Sequence, residues 1–288
     1  MNIPVKKLQN GFRLPVLGFG TWTIGGKREK DTTNDEINIL GIKNAINSGL
    51  THIDTAEMYA AGHAEEIVGI AIKEFPRKKL FITTKVAPDH LKYDDLFRAC
   101  ENSLKRLQTD YLDLYLIHSP NDEVPINETM KALNKLKDQG LIKNIGVSNF
   151  KTSRLKKAQQ TSVSPIVTNQ VFYNLIVRQP ETDGLIEYCQ KNDILITAFR
   201  PVDRGLLTQS NNQIFAEICN KYQKTPAQMA INWLISQDNV VTISKMSNRK
   251  HLEENLKALN WKMEQIDIKK LRDEFPNQQK DTSETPLR

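Results

Sequence analysis

Apolar and polar positions along the chain follow two alternating rhythms. Eight short runs are apolar and rich in β-branched residues: 16–21 (VLGFGT), 51–54 (THID), 80–85 (LFITTK), 111–118 (YLDLYLIH), 142–149 (IKNIGVSN), 165–170 (PIVTNQ), 194–199 (ILITAF) and 240–245 (VVTISK). Each is bounded by polar or turn residues, the pattern of parallel strands covered on both faces. Between them, apolar positions recur at helical spacing over 35–48, 63–74, 93–107, 126–139, 151–160, 180–192, 226–237 and 250–259, with a further segment at 263–275. Pro226 directly after Thr225 is a helix start: a capping hydroxyl, then a residue that needs no amide partner. Eight strand–helix units in so short a chain predict a closed, eight-stranded parallel β/α (TIM) barrel rather than an open sheet. Ahead of the first unit, VKKLQNGFRLP reads as a β-hairpin turning at Asn10-Gly11, placed to cap the bottom of the barrel. No linker divides the chain, so one domain is expected over residues 1–276, followed by a loose tail over 277–288.

Composition narrows the setting. The 288 residues are 39% hydrophobic and 26% charged, and no apolar run approaches the ~18 residues that span a bilayer. The N-terminal stretch lacks the apolar core of a secretion signal. Cys100, Cys189 and Cys219 lie far apart with no CxxC pair, so neither a metal cage nor a disulfide framework is signalled, and a cytoplasmic protein is expected. The net charge of +6 comes from scattered basic residues, many beside acidic ones, which reads as a solvated surface rather than a nucleic-acid face.

The chemistry gathers at the strand ends. Asp54, Lys85, His118, Ser148, Asn149, Gln170, Phe199 and Lys245 each stand at or just past the C-terminal end of an apolar run. In a barrel these ends meet at one rim, where active sites of this architecture lie. Tyr59 follows Asp54 on the same loop. Reducing a carbonyl leaves an alkoxide that must be protonated, and a phenol can deliver the proton, although its ordinary pKa of about 10 makes it sluggish at neutral pH. A nearby ammonium, Lys85, would favour the phenolate; Asp54 would hold that ammonium; His118 would orient the substrate oxygen.

These residues, with the segments GFGTW (18–22), HIDTAEMY (52–59), ITTKV (82–86), LIHSP (116–120), IGVSNF (145–150), NQVFYN (169–174) and ISKMSNRKHLEEN (243–255), make the sequence resemble the aldo-keto reductases, and the likeness runs along nearly the whole chain. The resemblance implies a barrel reductase that uses NADPH without a Rossmann domain. It implies Tyr59 as general acid, with Asp54, Lys85 and His118 as its partners. It implies Ser148, Asn149 and Gln170 on the nicotinamide amide, and Phe199 stacked on the nicotinamide ring where the family more often has tyrosine. Lys245, Glu254 and Asn255 match adenosine-side contacts; Gly20, Thr21, Trp22, Pro201 and Val202 complete the expected cofactor set. Met246 replaces a common serine, and His251 stands where many members carry arginine, which leaves NADH open as a second cofactor. AFRPVDRG departs from the commoner AYSPLGRG, and Arg200 or Arg204 is expected to add a phosphate contact. Trp22, Met58, Ala87 and Ser119 are expected around the substrate. Small residues at 87 and 119, and short segments after His118 and Leu207, predict an open pocket, broad carbonyl tolerance and faster reduction of aldehydes than of ketones. The expected partner is a small-molecule carbonyl, with no nucleic acid or membrane, and the expected state is a monomer.

Two other readings fit some of these residues. His52, Asp54 and His118 could form part of a metal-dependent hydrolase, but no HxH occurs and Lys85 would be a poor neighbour for a cation. A silent NADPH-binding sensor or accessory subunit is the other, and the intact set of four argues against it. The loop GFGTWTIGGKR has neither GxGxxG nor the spacing of a P-loop, and reads as a flexible loop at the rim over 25–30.

Overall fold

The eight apolar runs close into a ring. In this computed structural model, which describes residues 2–275 and 286–288, the barrel strands are β3 (Leu17–Gly20), β4 (His52–Asp54), β5 (Phe81–Val86), β6 (Leu114–Ile117), β7 (Ile145–Ser148), β8 (Ile166–Phe172), β9 (Leu195–Phe199) and β10 (Val240–Ser244). Each pairs in parallel with its neighbours in sequence, and β10 closes onto β3. The antiparallel hairpin β1 (Val5–Lys7) and β2 (Arg13–Pro15) precedes them as a separate two-stranded sheet. Its Leu8, Phe12 and Leu14 pack against the inward-facing Leu114, Leu116, Val167, Leu195 and Val241. Burying three such side chains favours the closed floor by roughly 1.5–3 kcal/mol each, and a cavity lies at the strands' opposite, C-terminal rim.

The outer layer consists of α1 (Asp35–Asn47), α2 (His63–Ile72), α3 (Tyr93–Leu107), α4 (Ile126–Asp138), α5 (Thr152–Thr161), α6 (Gln179–Thr182), α7 (Leu185–Lys191), α8 (Gln213–Tyr222), α9 (Pro226–Ile235), α10 (Arg249–Leu256) and α11 (Gln265–Glu274). The start at Thr225 is a full capping box: its side chain accepts from the Gln228 amide while Gln228 caps in return. Two expectations change. The single helix over 180–192 is two, α6 and α7, divided at Gly184, whose φ of 71° breaks the helical path. The segment after Leu207 is not simply a short loop, because Asn212 caps an additional helix, α8, which packs on α11.

Two irregularities bear on the site. The pairing of β7 with β8 shifts between Ile145 and Val147, a bulge that sets Ile166 opposite Ile145 but Asn169 opposite Val147. Val167 thereby joins the floor of the barrel while Gln170 reaches the rim. Most of the tail expected to be loose, 277–285, lies outside the described residues. Its last part is tied down: the Arg288 amide donates to the Asn149 carbonyl, and the Arg288 carbonyl accepts from the Lys151 amide, both at 2.9 Å.

Candidate active site

Asp54, at the end of β4, and Lys85, near the end of β5, face inward from adjacent strands and are 1% and 0% exposed. The Lys85 ammonium donates to Asp54 Oδ1 at 2.6 Å, to the Thr55 carbonyl at 2.8 Å and to the Tyr59 hydroxyl at 3.2 Å. An ammonium has three protons and no lone pair. All three are used, and the Tyr59 oxygen is an acceptor toward Lys85. The phenol's own proton is therefore directed away from Lys85. The other Asp54 oxygen accepts from Gln170 Nε2 at 2.7 Å, which couples the acid–base pair to β8.

Tyr59 is brought here by a turn that leaves the end of β4. Its ring is edge-on to Trp22, 5.0 Å between centroids, and to His118, 5.5 Å. Burial raises the Tyr59 pKa and Lys85 only partly offsets it, so the net direction is upward. Lys85 acts in the expected, lowering direction, but desolvating a phenolate outweighs the ammonium beside it. Burial also works against the Lys85 cation, but Asp54 and Tyr59 more than compensate, and its pKa is raised. Both groups hold their protons at neutral pH. Burial and the Lys85 charge push His118 down to about 3, so it is a neutral imidazole with one N–H to offer. His52, inside the barrel, is lowered by burial to about 4 and bonds Thr83 Oγ1 at 3.0 Å. It is a packed residue: a Cβ at Gly18 would lie 2.4 Å from its ring. Among the described residues no group of three His, Cys, Asp or Glu side chains could hold a metal.

These two neutral histidines make an acid-stability prediction. Their folded pKa values lie below the ordinary 6.5, so below pH 6.5 the unfolded chain binds protons that the folded chain does not. Their contribution is complete above pH 6.5 and is lost progressively as pH falls, through about 4 for His52 and about 3 for His118. Thermal melting should drop over that window, and His52→Gln should flatten the drop. An unchanged slope in that variant would count against a buried neutral His52.

Asp54, Tyr59 and His118 open onto a cavity of about 1200 Å³, with Lys85 buried behind them. Gly20, Thr21, Trp22 and Met58 line one side of it; Ser148, Asn149 and Gln170 line another; Phe199, Arg200, Pro201, Val202 and Arg204 line the third, with Lys245 at the mouth. Lys245 bonds Thr23 Oγ1 at 2.7 Å. Phe199 stacks on Phe172 with ring centroids 5.6 Å apart, and the Arg200 guanidinium lies over both rings. The amide cluster fits a carboxamide. Asn149 Nδ2 donates to the His118 carbonyl and Ser148 Oγ, whereas Asn149 Oδ1 is buried with no partner among the described residues. A buried, unsatisfied acceptor in the same cavity wall as a half-buried aromatic ring suits the amide and ring of nicotinamide.

Other expected residues stand elsewhere. Met246 is fully buried in the main core, where its thioether side chain packs with apolar neighbours instead of facing the cavity. His251 is exposed and Glu254 half-buried on α10, while Asn255 reaches back to Ser244 Oγ at 3.2 Å. Ala87 and Ser119 lie outside the cavity wall. The sequence reading missed Lys27, Arg28 and Lys30, which with Glu29 and Asp31 form a further wall. The rim loop that carries them is anchored: Asp31 N–H to Gly25 O at 2.7 Å, Ala60 N–H to Lys27 O at 2.8 Å, and Lys30 to Glu66 at 3.0 Å. The available signal was three basic residues in a glycine-led loop directly after a barrel strand.

Known proteins match this arrangement. The family described as "Aldo/keto reductase family" matches residues 16–273. The methylglyoxal reductase YeaE of Escherichia coli is 35% identical, over 91% of this chain and 92% of its own length. The glyoxal reductase of Bacillus subtilis is 36% identical, over 92% and 90%. Among solved structures, an aldo-keto reductase from Klebsiella pneumoniae in complex with NADPH is 34% identical with a TM-score of 0.86, covering 98% of both chains. With this fold, this rim and these relatives, the chain belongs to the aldo/keto reductase family.

Proposed function

We propose that the protein reduces aldehydes, and ketones more slowly, to alcohols with NADPH, using Tyr59 as the general acid. The observation that carries this reading is the saturation of Lys85: with its three protons assigned, the Tyr59 proton is left for the cavity. Bound NADPH supplies a hydride to the carbonyl carbon. The carbonyl oxygen becomes an alkoxide and takes the proton of Tyr59, whose developing negative charge is met by the Lys85 ammonium. Neutral His118 donates its N–H to the same oxygen and aims the carbonyl. Asn149, with its unsatisfied Oδ1, Ser148 and Gln170 would hold the carboxamide, and Phe199 would support the ring. Arg200, Arg204 and Lys245 supply positive charge for the cofactor's phosphates.

The relatives named for methylglyoxal and glyoxal support small, reactive aldehydes as the substrate class. The open cavity supports breadth around it. No helix among the described residues is long and apolar enough to cross a membrane. The three cysteines are buried and unpaired, which supports work in a reducing compartment such as the cytoplasm. A monomer satisfies the reading, because the whole catalytic set comes from one chain.

A panel of methylglyoxal, glyoxal, 4-nitrobenzaldehyde and acetophenone, each assayed with NADPH and with NADH, tests the proposal. Aldehydes should exceed the ketone in kcat/KM, and NADPH should exceed NADH. Absence of turnover for every aldehyde with both cofactors would sink the reductase reading and favour a silent binding protein.

A further inference from the structure

The turn that carries Tyr59 does not hold itself. Ala60 and Ala61, directly after it, have φ of 51° and 53°, and Gly62 has 91°. Left-handed backbone costs a non-glycine residue roughly 1–2 kcal/mol, and consecutive residues of this kind persist only where surroundings impose them. The Tyr59 hydroxyl nevertheless sits 3.2 Å from Lys85 on the neighbouring strand.

Glu57, midway between Asp54 and Tyr59, grips that strand twice. Its amide donates to the Lys85 carbonyl at 3.3 Å, and its carboxylate accepts from the Ala87 amide. One residue thus clasps β5 on either side of Val86. The carboxylate is 8% exposed and lies outside the cavity wall, so it does not face substrate. Its outer contacts are His90 Nδ1 at 3.0 Å and the Arg106 guanidinium at 4.0 Å. Arg106, on α3, also donates to the buried Glu65 of α2 at 2.6 Å. Its stem passes under the turn: a Cβ at Gly62 would lie 2.8 Å from Arg106 Cδ. Glu65 in turn accepts from Thr84, the residue preceding Lys85.

We infer that Glu57 is a positioning residue of the reduction: backed by Arg106, it clamps the left-handed turn to the end of β5 and so fixes the Tyr59 hydroxyl against Lys85. The inference rests on the reading of Tyr59 as proton donor. Loosening the clasp lets the phenol drift from the ammonium while the amide pocket on β7 and β8, on the other side of the barrel mouth, keeps its contacts.

The test compares Glu57→Ala, Glu57→Gln and Tyr59→Phe, with kcat and KM for 4-nitrobenzaldehyde and NADPH affinity by fluorescence titration. Glu57→Ala should lower kcat by roughly 10- to 100-fold, the scale of an ångström-level misplacement, with NADPH Kd within about twofold of the parent. The alkaline limb of its kcat profile should move to higher pH, because a phenol farther from Lys85 loses the influence that lowers its pKa. Glu57→Gln, whose amide oxygen can still accept from the Ala87 N–H, should recover most of the lost rate. Should Glu57→Ala fail to fold, Glu57→Asp, one methylene too short for the clasp, is expected to lose kcat in the same way. Parental kcat in a folded Ala or Asp variant overturns the inference. So does an equal loss in kcat and NADPH affinity accompanied by a lowered Tm, which marks a merely structural residue. Full activity in Tyr59→Phe overturns the premise instead, and is read from its own arm.

Discussion

Replacing Tyr59 with Phe should reduce kcat by about 10²- to 10⁴-fold, the range by which a positioned acid assists proton transfer. NADPH affinity should stay within about twofold. The structure explains why the loss should be confined to chemistry. The substitution removes one oxygen and leaves the ring in its edge contacts with Trp22 and His118. Lys85 keeps Asp54 and the Thr55 carbonyl as acceptors, so the buried cation is not stranded. A folded variant with parental kcat on an aldehyde would remove Tyr59 from the proton path. His118 would be a poor substitute as a source: with its pKa near 3 it is already neutral and has no spare proton at working pH.

A second large effect is expected at Lys85, on both stability and activity. Lys85→Met leaves Asp54 buried with only Gln170 as its side-chain partner. Breaking a buried ion pair from one side destabilises by about 3–5 kcal/mol, because the surviving charge is uncompensated. Turnover should disappear as well, since nothing then meets the charge that develops on Tyr59. The double variant Asp54→Asn, Lys85→Met separates the two effects. It removes both charges and should regain about half or more of the lost stability, the signature of a coupled pair, while remaining inactive. Urea unfolding of the parent, both single variants and the double variant measures the coupling. Additive stability losses would show that Asp54 and Lys85 do not depend on each other.

Much of this site could be read before any coordinates, for a physical reason. Parallel strands buried on both faces are continuous apolar runs, so a polar residue at the end of one is conspicuous. Asp54, Lys85, His118 and Gln170 each announced themselves in that way, and the barrel brought them to one rim. Residues whose role depends on backbone path were hidden. Lys27, Arg28 and Lys30 have no periodicity to betray them, and they reach the cavity because the loop is pinned to Gly25 and Ala60 through main-chain bonds. Glu57 looked like one more charge in a turn; its importance appears only once Ala87 and Arg106 are beside it. Helix α8 does carry the spacing, with Phe215, Ile218 and Cys219 inward, but it is brief and follows a polar run that reads as loop. The net direction of the Tyr59 pKa is not legible in sequence, where the charge partner shows and the depth of burial does not.

The bulge between β7 and β8 has a further meaning. Val167 belongs to the floor and Gln170 to the rim, three positions apart, whereas an uninterrupted strand would send them to opposite sides of the sheet. The extra residue acts as a change of reading frame written in space. Upstream of it the strand is spelled for the hydrophobic plug; downstream it is spelled for the amide pocket. Pairing the strand residue for residue from Ile166 onward, with no extra residue taken up in the bulge, would leave composition and length untouched, yet would turn Gln170 outward and Asn169 inward. The floor and the pocket could then no longer both be served by the same strand.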